Sequence, residues 1–141
     1  MDLELAIVRP CLHKTAGPLI LLDTNALIWL HRGDSRVAIL ETRATRLYAS
    51  PASVLELQFL LESGRLRLRS GASIGQLAHD ERWVLDDPPS AAWFEKATTV
   101  SWTRDPFDRL IVAHARLRQW RLATGDGGLI ARLRAGECLE L

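Results

Sequence analysis

Leu19-Ile20-Leu21-Leu22 is a run of four apolar residues closed by an aspartate, Asp23. A run this short, with no polar alternation, predicts a strand buried on both faces, as in a parallel sheet covered by helices. The chain then alternates. Thr24 to His31 and Val37 to Arg46 read as helices, and Leu47-Tyr48-Ala49 as a second strand closed by Ser50-Pro51, where proline is well placed to start a helix. Ala52 to Ser63 is a strongly apolar helix stopped by Gly64. Ser73 to Asp80 predicts a shorter helix, Trp83-Val84-Leu85 a third strand, and Asp86-Asp87-Pro88-Pro89 a turn before a helix from Ala91 to Ala97. Pro106 to Trp120 has the clearest helical pattern. Leu122-Ala123-Thr124 predicts another buried strand, followed by a glycine-rich turn, a helix near Leu129 to Arg134 and an edge strand at Cys138 to Leu141. The expectation is an α/β fold: a three-layer α/β/α sandwich with a central parallel sheet, spanning residues 19–141. Residues 1–18, punctuated by Pro10, Gly17 and Pro18 without a clear period, read as a loosely attached N-terminal leader.

Composition narrows the class. With 141 residues, 48% hydrophobic and 25% charged, the chain can bury a core without staples, and it is not a disordered tail, collagen-like rod or coiled coil. No apolar run approaches the ~20 residues of a membrane span. Asp2 and Glu4 stand where a secretory leader would be basic. Cys11 and Cys138 are too few for a disulfide framework or a structural zinc site, so a reducing cytoplasm is the expected address. The formal charge of +1 gives no global basic field. Only Lys14 and Lys96 among the basic residues are lysine; arginine suits phosphate, but a GC-rich coding sequence produces the same bias.

Four acids fit one site. Ligands of an open parallel sheet gather at the carboxyl ends of its strands; Asp23 ends the first strand and Asp126 lies two residues past the later one. Taken singly, each serves equally well as a turn or cap. Glu56 sits in Ser53-Val54-Leu55-Glu56-Leu57-Gln58-Phe59-Leu60, so it either occupies a narrow exposed stripe or is held inward by a partner. Its neighbours at helical spacing, Phe59 and Leu60, favour the inward role. In Arg104-Asp105-Pro106-Phe107-Asp108-Arg109, Asp105 is placed as a cap and Pro106 as the first helical residue. Asp108 shares a face with Ile111 and Val112 and so looks toward the protein. Converging carboxylates without a basic partner repel one another. Mg2+ or Mn2+ resolves the conflict, because hard cations take carboxylate oxygens, and such an ion suits phosphodiester hydrolysis.

At these residues the sequence resembles the PIN-domain nucleases, and within them the VapC-type toxins of toxin–antitoxin pairs. LLDTNALIWL at 21–30, SVLELQFLLESGRLRL at 53–68, RDPFDRLIVAHA at 104–115 and LATGD at 122–126 carry the resemblance, which runs from Pro18 to the C-terminus. It implies an endoribonuclease dependent on Mg2+ or Mn2+, with Asp23, Glu56, Asp108 and Asp126 as catalytic and metal-holding acids. It places Asn25 and Thr124 among the small polar residues that orient them, and Asp105 as support or cap. Arg109 and Arg104 would meet RNA phosphate or pair with the acids. The implied partners are RNA, a VapB-like antitoxin and a second copy of the chain. Two features depart from the family pattern: the leader, and the glycines after Asp126 where charged or aromatic residues are usual.

Other chemistry is less well served. His13, His31, His79 and His114 lack metal spacing and read as surface or core histidines, and no GxSxG, P-loop or GxGxxG pattern is present. The tryptophans read as core residues before base-stacking ones. Asn25 stands where a haloacid-dehalogenase-like phosphatase has its second acid. Besides a toxin nuclease, two alternatives remain: a PIN fold without catalysis serving as an RNA-binding or protein-interaction module, and a housekeeping RNA-processing nuclease.

Overall fold

The computed structural model describes residues 18–41 and 46–141, and all five of its strands run parallel. These are β1 (Leu19–Leu22), β2 (Arg46–Ala49), β3 (Val84–Leu85), β4 (Arg121–Thr124) and β5 (Cys138–Glu140). Their spatial order is β3-β2-β1-β4-β5. The chain therefore builds outward from β1 in one direction and then returns to its other side. Leu22 stands opposite Ala49 on β2 and Ala123 on β4. Asp23, Ser50 and Gly125-Asp126 consequently leave the sheet along one edge, the expected position for a ligand site.

Alternation along the strands divides the interior in two. Ile20, Leu22 and Ala123 face a core completed by Leu27 and Leu30 of α1 (Thr24–Arg32), Leu57 of α3 (Pro51–Glu62) and Leu77 of α4 (Ile74–Ala78). Leu21 and Leu122 face the other core, filled from α5 (Ser90–Thr98), α6 (Pro106–Arg118) and α7 (Gly127–Arg132) by Trp93, Ile111, Val112 and Leu129. Leu21 and Leu22 are fully buried, each contributing about 2 kcal/mol of apolar burial. That two-sided burial explains the unbroken apolar run, and the expected α/β/α sandwich is the fold observed.

The boundaries differ from expectation where short elements and caps decide them. The helix expected over 37–46 is a 3-10 turn, Ser35–Val37, followed by the short α2, Ala38–Glu41. Its expected last residue, Arg46, opens β2 instead: the Arg46 amide donates to the Pro18 carbonyl at 3.1 Å while its side chain remains exposed. Residues 42–45 fall outside the described residues, as does the expected leader apart from Pro18. Helix α6 stops at Arg118 rather than Trp120, because Gln119 turns left-handed with φ 60° and its amide returns to the Ala115 and Arg116 carbonyls. Helix α7 begins at Gly127, two residues before the expected start, because Asp126 caps it.

Inside this edge, the His114 ring of α6 is fully buried. Its Nδ1 lies 2.9 Å from the Ser50 hydroxyl and its Nε2 lies 2.7 Å from Asp86 Oδ2. Arg118 grips the same Asp86 through Nε and Nη2 at 2.9 and 3.2 Å. Burial would raise the Asp86 carboxyl, but Arg118 and His114 hold it below its usual range. Burial pushes His114 down against the pull of Asp86. The neutral ring satisfies both neighbours, donating from Nε2 to the carboxylate and accepting from the serine at Nδ1. Ser50 also accepts the Ala52 amide as the cap of α3. His114 is thus a core histidine, tying α6 to the start of α3 and the end of β3.

Candidate active site

Each of the four acids comes from a different segment. Asp23 follows β1 and caps α1, its Oδ1 accepting the Ala26 amide at 2.7 Å. Asp126 follows β4 and caps α7, with Oδ1 accepting from Gly128 and Leu129 at 2.8 and 3.2 Å. Glu56 lies in α3, and Asp108 in the first turn of α6. Capping therefore accounts for one oxygen of Asp23 and of Asp126 and leaves Glu56 and Asp108 needing another reason.

Two threonines hold the acids in place. The Thr124 hydroxyl donates to Asp23 and accepts the Asp126 amide at 3.0 Å, linking two of the carboxylates through one side chain. The Thr24 hydroxyl donates to Glu56 Oε1 and lies 3.0 Å from the Ser53 hydroxyl. Thr124 was among the expected supporting residues; Thr24 and Ser53 were not. Their signal was available, since Ser53 precedes Glu56 by one helical turn on the same face and Thr24 lies within the DTN motif. Glu56 is half-buried with a partner, but its neighbour Phe59 is 52% exposed. The glutamate therefore faces a cleft rather than the core.

The charges interact across that cleft. Burial pushes Asp23 up to about 6; Thr124 and the Ala26 amide oppose the shift, and Glu56 and Asp126 add repulsion. Burial, then Asp105, Glu56, Asp126 and Asp23, push Asp108 up to about 7. Burial also raises Glu56, opposed by Thr24 and reinforced by Asp105 and Asp126. No described residue donates a hydrogen bond to the Asp108 carboxylate. Four mutually repelling acids on one sheet edge are an arrangement that folding alone does not favour.

The remaining expected residues separate by role. Asp105 caps α6, accepting the Phe107 and Asp108 amides at 2.8 and 3.3 Å. Arg109 donates from Nε to the Thr103 carbonyl at 2.8 Å and pairs with no acid among the described residues; it orders the turn that leads into Asp105. Asn25 is exposed in the first turn of α1 and Arg104 is exposed beside Asp105, both without a hydrogen bond among the described residues. A cleft of about 600 Å3 toward the other end of α6, lined by Lys96, Arg116 and Trp120, contains none of the four acids.

The family model for the PIN domain matches residues 20–135. The chain belongs to the PIN-domain family. It is 33% identical over 113 residues to ribonuclease VapC22 of Mycobacterium tuberculosis, covering 76% of this chain and 86% of that protein. The fold matches the crystal structure of VapBC2 from Rickettsia felis bound to a promoter DNA fragment. That match has a TM-score of 0.62 and 17% identity, covering 87% of this chain and 98% of that one. It also matches FitAB bound to the IR36 DNA fragment, with a TM-score of 0.50 and 23% identity, covering 86% and 94% of the two chains.

In this PIN domain the donor set suits a hard divalent ion, since every candidate ligand is a carboxylate oxygen and Asp108 has no competing donor among the described residues. Among the described residues no three acidic, histidine or cysteine side chains form a group that could hold a metal ion; a Mg2+ or Mn2+ ion, which keeps several waters, would engage one or two of these carboxylates directly. Of the glycines around Asp126, Gly127 has open space where a Cβ would stand, while Gly125 and Gly128 are crowded. A Cβ on Gly125 would meet the Trp29 ring at 2.6 and 2.8 Å, and one on Gly128 would lie 3.1 Å from Asp126 Oδ1. Gly125→Ala should therefore displace the Trp29 ring or the turn carrying Asp126. We expect a loss of about 1–3 kcal/mol in urea unfolding and weaker metal-dependent RNA cleavage. An unchanged midpoint with full activity would show that Trp29 yields freely.

Proposed function

We propose that the protein is a metal-dependent endoribonuclease that hydrolyses RNA phosphodiester bonds, acting as the toxin of a VapBC-type pair in the cytoplasm. The observation that carries this reading is the meeting of Asp23, Glu56, Asp108 and Asp126 on one sheet edge, with Asp23 and Asp108 pushed up to about 6 and about 7. The relative named ribonuclease VapC22 supports it. The VapBC2 and FitAB structures support a small antitoxin as partner, and we infer a homodimer as the assembled form.

In this reading Asp23, Glu56, Asp108 and Asp126 would hold Mg2+ or Mn2+ directly or through its waters. Thr124 fixes Asp23 and Asp126 relative to one another, and Thr24 with Ser53 holds Glu56 toward the cleft. Asp108, which no described donor engages, is left to respond to whatever cation enters. A bound ion would supply an activated water and neutralise charge at the phosphorus. Asp105 keeps α6 in place through its cap, and its charge adds to the field on Glu56 and Asp108.

The test is cleavage of total cellular RNA by purified, antitoxin-free protein with Mg2+ or Mn2+, with EDTA, and as Asp23→Asn. Discrete fragments that require metal and disappear in Asp23→Asn are the expected result. No cleavage by folded, metal-replete protein would favour a non-catalytic binding module. Cleavage with no antitoxin gene adjacent would favour a housekeeping nuclease.

A further inference from the structure

Two clefts open from the acids, and each pairs aromatic surface with an arginine. One, of about 270 Å3, is lined by Trp102, Thr103, Asp108, Asp126, Leu129 and Arg132. The Arg132 guanidinium lies 6.0 Å above the Trp102 ring. Although it shares this cleft with two carboxylates, it makes no ion pair among the described residues. The other cleft, of about 580 Å3, is lined by Glu56, Phe59, Arg65, Asp105 and Phe107. Phe59 and Phe107 meet edge to face at 5.3 Å. The left-handed Gly64 ends the helical turn, and the Arg65 amide returns to the Leu60 carbonyl at 2.9 Å, which places Arg65 at the rim. Beyond it Leu66 and Leu68 turn inward while Arg67 and Arg69 remain exposed.

An unpaired arginine beside a partly exposed aromatic ring is a combination that binds a single strand, one group meeting phosphate and the other stacking on a base. A duplex keeps its bases stacked on one another and uses such rings poorly. The first cleft also holds Asp108 and Asp126, and the second holds Glu56 and Asp105 with Glu62. A strand lying in both would cross the carboxylate cluster between them.

We propose that the Trp102–Arg132 cleft and the Phe59–Phe107–Arg65 cleft are the nucleotide subsites on either side of the scissile phosphate, each setting an arginine at the backbone and a ring against a base. The proposal rests on the ribonuclease reading and adds the path of the substrate. The experiment uses the full chain as Asp23→Asn in Mg2+ buffer, with a fluorescein-labelled unpaired oligoribonucleotide and the same strand annealed to its complement. Anisotropy titrations over a range of salt compare this parent with added Arg132→Ala, Arg65→Ala, Trp102→Phe and Trp102→Leu. Lys96→Ala is the charge control, because Lys96 lines a cleft that contains none of the four candidate acids.

We expect Arg132→Ala and Arg65→Ala each to weaken single-strand binding at least about fivefold and to flatten the salt slope by about one. Trp102→Leu should weaken binding by a similar factor without changing the slope, and Trp102→Phe should restore most of it. Duplex binding should be weak throughout. Equal losses in Lys96→Ala, no loss in either arginine variant, or duplex bound as tightly as the single strand would overturn the subsites while leaving the nuclease reading intact. A parent that binds no RNA would overturn both. The arginines are exposed, so their variants should keep the parent's unfolding midpoint. Trp102→Phe keeps the test valid if Trp102→Leu does not fold.

Discussion

Asp108→Asn should abolish RNA cleavage and at the same time make the metal-free protein more stable. The two effects have one cause. Asp108 is pushed up to about 7 by burial and by the carboxylates around it, so between pH 4 and 7 the folded chain binds a proton that the unfolded chain releases. The stability this contributes is fully present below about pH 4, falls as pH rises toward 7, and is absent above it. The asparagine variant carries no such charge. In EDTA at pH 8 its urea midpoint should exceed the parent's by about 1–2 kcal/mol, after allowing for solvent screening of a half-exposed group. Its pH–stability curve should also be flatter between 4 and 7. Cleavage should fall about 10^3-fold. Mg2+ should stabilise the parent more than the variant, because an ion that binds only the folded state raises its stability by mass action. A variant less stable than the parent at pH 8 would show that repulsion is not what Asp108 contributes, and retained cleavage would remove it from the site.

The second large effect belongs to the buried network. His114→Ala should cost about 3 kcal/mol, because it leaves Asp86 and Ser50 each short of a partner and opens space beside Trp93 and Trp120, whose rings lie 5.4 and 6.0 Å from the imidazole. His114→Gln, which still reaches one partner, should cost less. The pH dependence has the opposite sign from that of the acids. Burial lowers His114 in the fold, so below its ordinary value near 6.5 the unfolded chain takes up a proton that the native ring refuses. Stability from this group is present above that pH and falls as the solution is acidified. Urea titrations of both variants between pH 5 and 8 would check this. A parent-like acid limb in His114→Gln would assign that limb to another group.

Much of this architecture was legible because it depends on local chemistry. The apolar run before Asp23 reports burial on both faces, and Asp105-Pro106 reports a helix start whose cap the structure then shows. The parallel pairing of β1 and β4 needed no further information to bring Asp23 and Asp126 to one edge. What was not legible depends on partners distant in sequence. Thr24 and Glu56 are 32 residues apart, and Ser50 and His114 are 64 apart; no local spacing encodes either contact. The 37–46 segment was misread because its charged and apolar residues fit a helical wheel. The Asp34-capped 3-10 turn takes Val37 and β2 takes Arg46, while Ala38–Glu41 is helical as expected. Phe59 was read as inward company for Glu56, but the helix presents it at a cleft.

The sheet separates two cores, and the acids divide between them in the same way. Asp23 caps α1 and Glu56 rides on α3, on one side; Asp108 and Asp126 belong to α6 and α7, on the other. A small slide of one helical layer against the sheet would leave Asp23 and Asp126 joined through Thr124 and change the spacing of Glu56 or Asp108 to them. Shear of this kind is a low-cost motion for packed helices. The cluster should therefore behave as a gauge of interlayer alignment, so that mild denaturant silences cleavage while far-UV ellipticity and the slowest-exchanging amides of β1 and β4 still report an intact fold.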